Sequence, residues 1–155
     1  MLNIYVLEDH FIQQNRIEEV IHTILKKNNI KVGDFEVFDK PNQLLDFITE
    51  RGSHQLFFLD IQIKDDTKKG LEVAKQIRKS DPYANIVFFT THSEYLPLTF
   101  QYQLAALDFI DKSLECEDFQ KRLESIILLT CKKIQSQNPE DAFRIENVKT
   151  VIQVP

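Results

Sequence analysis

The chain has 155 residues and a formal net charge of -5, and 43% of its residues are hydrophobic, with 3 glycines, 5 prolines and no tryptophan. This length and composition indicate one ordinary folded domain with a short tail, and they exclude collagen-like, disordered and repeat-array proteins. The negative charge argues against direct nucleic-acid binding by this segment, because a protein that grips a phosphate backbone normally presents a basic face.

Two cysteines, Cys116 and Cys131, lie fifteen positions apart and form no Cys-x-x-Cys motif. A zinc site or a disulfide framework is therefore not expected, and we interpret both as reduced thiols. The first apolar run stops at Glu8, which is too short for the core of a signal peptide, and no segment approaches the roughly 18 apolar residues of a membrane span. We expect a cytoplasmic protein with no membrane partner.

Strand-like and helix-like segments alternate along the chain. In the first half we predict a strand at 2–7, a helix over about 10–27, a short strand at 35–38, a helix that opens at Pro41 and ends before Gly52, and a strand at 55–60. In the second half we predict a helix that carries Leu71 and Ile77, a strand at 85–91, a helix from Ser93 to Tyr102, a strand at 107–110, and a helix after Ser113 that carries Phe119 to Ile134.

The predicted strands at 2–7, 55–60 and 85–91 are largely apolar runs, which are typical of parallel strands buried on both faces, whereas the strand at 35–38 alternates weakly. The predicted helices have apolar residues that recur three and four positions apart. Pro41 suits the first turn of a helix, and Ser93 and Ser113 are the expected N-caps of the last two helices.

This alternation indicates right-handed crossovers and a parallel sheet with helices on both faces. We predict a flavodoxin-like, doubly wound α/β fold of five strands in the order 2-1-3-4-5. In that order the first and third strands are neighbours, so Glu8 and Asp9 should meet Asp60 in the crevice at the switch point, although 51 residues separate Asp9 from Asp60.

Three carboxylates at one sheet edge require a cation nearby. At a separation of about 4 Å and an effective dielectric of about 20, each like-charged pair costs roughly 4 kcal/mol. A hard divalent ion such as Mg²⁺, which takes oxygen ligands and keeps some of its waters, suits this composition better than zinc.

Four polar features then stand at successive strand ends: the acid pair Glu8-Asp9, Asp60, the pair Thr90-Thr91, and Lys112. This set resembles the receiver domain of bacterial response regulators, over residues 1 to about 135. Within that family, the chain is most similar to the AgrA/ComE/BlpR-like regulators of Gram-positive peptide signalling. The stretches that carry this similarity are Glu8-Asp9-His10, Phe57-Phe58-Leu59-Asp60-Ile61, the segment from Asp81 to Phe88, Thr90-Thr91-His92-Ser93-Glu94, and the segment from Ala106 to Lys112.

The resemblance implies a CheY-like (βα)5 domain in which Asp60 accepts a phosphoryl group from a phosphohistidine on a sensor histidine kinase. It implies that Glu8, Asp9 and Asp60 hold Mg²⁺, with the backbone carbonyl of Gln62 as a further ligand. Phosphoryl transfer needs mainly positioning and charge stabilisation, so a metal, one lysine and one hydroxyl beside the carboxylate can suffice.

The same resemblance assigns Lys112 and the Thr90 hydroxyl to the phosphoryl oxygens. It implies that Thr90 turns inward on phosphorylation, that Phe109 follows it, and that the face of the fourth helix, fifth strand and fifth helix repacks. The expected module is a signalling domain rather than an enzyme, and we expect it to form a homodimer on activation.

The tail suggests a second, incomplete unit. Residues 136–155 are predicted to be a linker followed by the first strands of a LytTR-type DNA-binding domain, beginning near Phe143. The chain would then be a fragment of a longer transcription regulator of quorum sensing, and it would reach DNA only through a C-terminal domain that this chain lacks.

Three residues depart from the common pattern of the family. Glu8 stands where many receiver domains have aspartate, Ser113 follows the lysine where many have proline, and Phe109 lacks the hydroxyl of a switch tyrosine. We expect Glu8 to favour contact with the metal through water, and Ser113 to act as a helix cap. His10 and His92 border the expected crevice, but we exclude both from the metal shell.

Two other functions stay open at this point. A phosphohydrolase of the haloacid-dehalogenase type also uses a strand-end aspartate with Mg²⁺, but Gln62 stands where that family has its second acid. A phosphorylation-independent interaction module would keep the fold and dimerise constitutively, although the intact Asp60, Thr90 and Lys112 count against it.

Overall fold

The computed structural model of the protein describes residues 1–64, 66, 68–91, 93–101 and 104–137. Within these ranges, five strands alternate with five α-helices. The strands are β1 (Leu2–Leu7), β2 (Val32–Phe38), β3 (Gln55–Leu59), β4 (Asn85–Thr90) and β5 (Asp108–Asp111). The helices are α1 (Phe11–Lys27), α2 (Pro41–Phe47), α3 (Lys69–Ser80), α4 (Leu96–Gln101) and α5 (Cys116–Gln137), and a 3-10 turn at Ser93–Tyr95 precedes α4.

All the strand pairs are parallel, and the sheet order is β2-β1-β3-β4-β5. The register aligns the strand ends, since Leu7 pairs with Leu59, and Leu59 pairs with Phe88. The predicted flavodoxin-like fold and strand order are therefore confirmed, and the residues that follow β1, β3, β4 and β5 emerge at the same edge of the sheet.

Each central strand buries both of its faces. Successive side chains of a strand point to opposite sides of the sheet, so Leu56 and Phe58 join the core under α1 and α5, whereas Phe57 and Leu59 join the core under α2 and α3. This two-sided burial explains why the central strands are unbroken apolar runs rather than alternating ones. The rigid sheet that results holds its carboxyl-end loops in fixed positions.

Several local predictions need correction. α2 ends at Phe47 rather than just before Gly52, and Ser93 lies in a 3-10 turn rather than at the N-cap of α4, which begins at Leu96. β2 begins at Val32, three residues before the predicted strand, because the Asn3 side chain accepts a hydrogen bond from the Asp34 backbone N–H (2.9 Å) and so supports an extended segment there. Ser113 is not the cap of the last helix, which begins at Cys116. Instead, the backbone N–H and the hydroxyl of Ser113 both donate to Asp111 Oδ1, at 2.8 and 2.7 Å.

The last helix extends past the predicted domain boundary at 135 and runs to Gln137. Most of the predicted linker and the LytTR-type strands expected from about Phe143 lie outside the described residues, as do His92 and Tyr102. The division into residues 1–135 and 136–155 therefore stays a prediction. Among the described residues, no helix has the length and apolar character needed to cross a membrane.

We expect the buried Tyr5 to make stability fall at alkaline pH. Its ring stacks on Phe57 with centroids 5.2 Å apart, and burial raises the pKa of Tyr5 to about 12. Because the folded pKa is raised above the unfolded value, the contribution to stability is present below about pH 10 and is lost as the pH rises toward 12.

Between about pH 8 and about pH 11, the free energy of unfolding of Tyr5→Phe should therefore fall by about 1 kcal/mol less than that of the wild type. Urea unfolding measures both. The control is Tyr83→Phe, since Tyr83 is 71% exposed. The same pH profile for wild type and Tyr5→Phe would contradict this account.

Candidate functional site

The site is built at the carboxyl edge of the sheet, where strand hydrogen bonding continues one residue past each strand. The backbone N–H of Glu8 donates to Phe38 O (2.9 Å), that of Asp60 to Leu7 O (3.0 Å), and that of Lys112 to Thr90 O (3.2 Å). These bonds fix the Cα positions of the first residues after β1, β3 and β5. The loops therefore begin from a rigid edge.

The three predicted acids do converge. Glu8, Asp9 and Asp60 each offer a carboxylate oxygen, and the three oxygens lie within 4.8 Å of one another. Glu8 is fully buried and Asp60 is 5% exposed, whereas Asp9 is partly exposed. Two of the three charges are thus removed from bulk water, which makes a compensating cation necessary.

Lys112 supplies that cation in the structure. Its ammonium lies 2.7 Å from Asp60 Oδ2 and forms a second ion pair with Glu8 Oε1. The lysine is itself 9% exposed, so both pairs are shielded from solvent. Lys112 was predicted at the site from the sequence, but its ion pair with Glu8 was not predicted.

Burial and two neighbouring charges act on the Glu8 carboxyl in opposite directions. Burial raises the pKa of the Glu8 carboxyl, the hydrogen bond and the charge of Lys112 lower it, the charge of Asp60 raises it again, and the net pKa is raised. Glu8 Oε2 also accepts a hydrogen bond from the His10 backbone N–H (2.9 Å). Glu8 is therefore held in place by contacts on both of its oxygens.

Two residues between β3 and the first turn of α3, Lys64 and Gly70, lie against the acids. Asp9 Oδ2 accepts a hydrogen bond from the Lys64 backbone N–H (2.7 Å), and Lys64 has a left-handed backbone with φ of 55°. Gly70 packs directly on the Asp60 backbone, because a Cβ at Gly70 would stand 1.7 Å from the Asp60 carbonyl oxygen. Only glycine fits at that position without moving Asp60.

An open pocket gives access to this cluster. The residues that line it are Glu8, Asp9, His10, Gln13, Asp60, Gln62, Lys64, Thr91 and Lys112. Gln13 and Lys64 were missed from the sequence. Gln13 could have been found because it follows His10 by three positions, which places both on one side of a helix start.

The two switch candidates lie beside the pocket rather than in its lining. Thr90 is 1% exposed at the end of β4 and pairs with Asp111, whereas Thr91, which follows it, is exposed and lines the pocket. Phe109 pairs with Phe88 across β4 and β5, and their ring centroids are 5.8 Å apart. The roles predicted for Thr90 and Phe109 stay predictions.

The donor set fits a hard divalent cation. Among the described residues, Asp60 Oδ1 is buried and accepts no hydrogen bond, and beyond its ion pair Glu8 Oε1 accepts none either. Carboxylate, carbonyl and water oxygens are the ligands that Mg²⁺ prefers. Gln62 also lines the pocket, as its predicted carbonyl ligation would require.

Comparison with known proteins identifies the family of this domain. Residues 4–124 match the family described as "Response regulator receiver domain". The chain belongs to this family.

Curated relatives include accessory gene regulator protein A of Staphylococcus epidermidis, 35% identical over 111 residues, and that of Staphylococcus aureus strain N315, 33% identical over 111 residues. Each match covers 72% of this chain and 46% of the relative, so the chain spans about half the length of these proteins. A similar fold occurs in the response regulatory domain of protein mrkE from Klebsiella pneumoniae, with a TM-score of 0.65, 22% identity, and coverage of 84% of this chain and 99% of that one.

We predict that Lys112→Met destabilises the protein strongly when metal is removed with EDTA. The substitution leaves Glu8 and Asp60 buried without their cation, and loss of one partner from a buried ion pair typically costs about 3 kcal/mol or more. Urea unfolding at neutral pH measures the loss. Adding Glu8→Gln and Asp60→Asn to Lys112→Met should recover part of it, because the amide side chains carry no buried charge.

The matched control is Lys27→Met, which removes an exposed lysine 3.3 Å from Glu124. Exposed ion pairs contribute little, so this variant should stay close to the wild type. Equal effects of Lys112→Met and Lys27→Met would show that the buried ammonium does not balance the acids.

Proposed function

We propose that this chain is the phosphoacceptor module of a response regulator, and that Asp60 receives a phosphoryl group from a phosphohistidine of a sensor histidine kinase. The main support for the proposal is that the two oxygens of the Asp60 carboxylate have different contacts. Its Oδ2 is paired with Lys112, and its Oδ1 is buried beside the open pocket without a hydrogen bond within the described ranges. A nucleophile needs such an oxygen, positioned but not engaged.

The step forms one bond and breaks one. An oxygen of Asp60 bonds to phosphorus while the phosphorus–nitrogen bond of the phosphohistidine breaks, and the electron pair of that bond stays on the imidazole, which takes up a proton from water. The products are an acyl phosphate on Asp60 and a neutral histidine. Because little covalent chemistry is left to the protein, the surrounding charges decide the rate.

Lys112 is the residue placed to stabilise the transferring group. Its ammonium already contacts Asp60, so it would also reach the oxygens of a phosphoryl group on that carboxylate. The Thr90 hydroxyl would donate a hydrogen bond to one of these oxygens. Mg²⁺ held by Glu8, Asp9, Asp60 and the Gln62 carbonyl would neutralise charge that develops on the transferring oxygens.

The signal would leave the site through the neighbouring strands. Thr90 and Asp111 are paired at the ends of β4 and β5, and Phe109 is only partly buried beside them. An inward turn of Thr90 toward the phosphoryl group would vacate space that Phe109 can enter, because packed cores change between discrete arrangements rather than continuously.

The similarity to accessory gene regulator protein A supports a wider proposal for the longer protein. We infer a cytoplasmic regulator that dimerises on activation and contacts DNA through a LytTR-type domain beyond the described residues. The chain covers 46% of those relatives, which leaves length for such a domain. We propose quorum sensing through peptide signalling as its process, and the resemblance to these regulators supports this proposal.

Incubation with acetyl phosphate and Mg²⁺ should add the mass of one phosphoryl group to the wild type, and Asp60→Asn should show no adduct. The adduct should be labile at alkaline pH, as acyl phosphates are. Intact mass spectrometry measures both. The control is Asp46→Asn, which replaces an exposed aspartate on α2 and should be phosphorylated like the wild type.

The same experiment separates the other two functions. Steady release of phosphate from a phosphomonoester, without an accumulated adduct, would favour a hydrolase. A wild type that gains no phosphoryl group and forms a constitutive dimer would favour the passive interaction module.

Mg²⁺ should also stabilise the folded protein directly. At ten times its dissociation constant a bound ion adds about 1.4 kcal/mol to the free energy of unfolding. We expect Asp9→Asn to lose most of this gain, because Asp9 is the partly exposed acid of the cluster and so the one most open to an ion from solvent. Thermal unfolding with Mg²⁺ or EDTA measures the difference, and an equal gain in both proteins would exclude Asp9 as a ligand.

A further inference from the structure

We propose that Arg16, a residue of α1 that does not line the pocket, is a positioning residue that fixes the Lys112 ammonium between Glu8 and Asp60. The inference deepens the function proposed above, since it takes Lys112 as the group that stabilises the transferring phosphoryl oxygens. Arg16 itself touches neither the acids nor the pocket.

The guanidinium of Arg16 grips the turn that follows Lys112. Its Nη1 donates to the Lys112 carbonyl oxygen (2.7 Å), and its Nη2 donates to the Leu114 carbonyl oxygen (2.6 Å). Two charge-assisted bonds from one planar fork define orientation as well as distance, which lysine cannot do at this place. The two carbonyls that flank Ser113 are therefore tied to α1.

The same guanidinium lies over an aromatic ring. Its Cζ is 3.9 Å from the centroid of the Phe119 ring, and Phe119 is fully buried in the first turn of α5. A cation over a ring face adds attraction and restricts the tilt of the guanidinium plane. Arg16 thus joins α1, the turn after β5 and the start of α5.

The turn itself has little intrinsic stiffness. Lys112 is followed by Ser113, where many receiver domains have proline, so no ring restricts the backbone there. On the solvent side of the turn, Asp111 Oδ1 accepts hydrogen bonds from the Ser113 backbone N–H and hydroxyl, and both of these bonds are exposed to solvent. The hydrogen bonds from Arg16 restrain the turn on the side that faces the protein, and they are better shielded from water because they lie between α1 and the start of α5.

Position matters for Lys112 because its side chain has four rotatable bonds and its target is small. Displacing a positioned group by about 1 Å can lower a rate about 100-fold. If the 112–114 turn becomes more mobile, the Lys112 ammonium can still neutralise the acids, but it no longer occupies a single position relative to the transferring phosphoryl group. We therefore expect an effect on the rate of transfer rather than on binding of the donor.

The test combines kinetics with a spectroscopic signal from the ammonium. With acetyl phosphate and Mg²⁺, Arg16→Met should lower the maximal rate of phosphorylation about 10-fold, with little change in the donor concentration that gives half of that rate. In a Lys112→Met background, the same substitution should change the rate less than about 2-fold, since residues that act through one another are not additive. The full additive loss in that background would overturn the proposal.

The matched control is Arg122→Met. Arg122 also donates to the β5 backbone, at Phe109 O (3.0 Å), and pairs with Asp108, but it makes no bond to the 112–114 turn. Its removal should leave the phosphorylation rate close to that of the wild type. If both arginine variants slow the reaction equally, Arg16 has no special connection to Lys112.

A second readout needs no phosphorylation. A lysine ammonium held by two buried carboxylates exchanges its protons slowly, so Lys112 should give a distinct ¹H–¹⁵N signal in the wild type that weakens or disappears in Arg16→Met. Loss of that signal in a protein that never gains a phosphoryl group would uphold the positioning role and reject the proposed function. An unchanged signal with an unchanged rate would reject the positioning role alone.

Arg16→Lys covers the case in which Arg16→Met does not fold. A lysine can donate to one of the two carbonyls at a time, so the rate should fall between those of the wild type and the Lys112→Met variant. A rate equal to that of the wild type would contradict the need for a bidentate contact.

Discussion

One ammonium group between two buried carboxylates is the constraint on which this edge of the sheet depends. Glu8 and Asp60 are almost fully removed from solvent, and the Lys112 ammonium forms an ion pair with each of them. Buried charges of this kind are expensive and gain little net stability even when paired. A buried ion pair is therefore weak evidence of structural support, and its place beside the pocket fits the phosphoryl chemistry proposed for this site.

The backbone makes this arrangement possible. The parallel order β2-β1-β3-β4-β5 puts the ends of β1 and β3 side by side, with β4 and then β5 following, so residues far apart in sequence emerge within side-chain reach. Gly70 lets the start of α3 close against Asp60, and the Lys64 backbone fixes Asp9. Main-chain contacts position most of the site, and the Arg16 side chain adds a further restraint on the turn after β5.

Much of this could be predicted from the sequence, and the failures have physical reasons. Strand ends are strongly marked by apolar runs, so the convergence of Glu8, Asp9 and Asp60 followed from topology alone. Ser113 was wrongly assigned as a helix cap, because propensity could not reveal that Asp111 would accept both of its donors. Arg16 was missed since an arginine on a half-exposed helix normally points to solvent. The Lys112–Glu8 pair depended on how far a flexible side chain reaches, which no local pattern encodes.

A crystal structure of the protein with Mg²⁺ and beryllofluoride, a mimic of the phosphoryl group, would show whether Lys112 and the three acids form a phosphoryl-transfer site. We expect a beryllofluoride on Asp60, the ion among Glu8, Asp9 and Asp60, and the Lys112 ammonium against a fluorine. A beryllofluoride on another carboxylate, or a Lys112 side chain that points into solvent while Asp60 is occupied, would contradict this proposal.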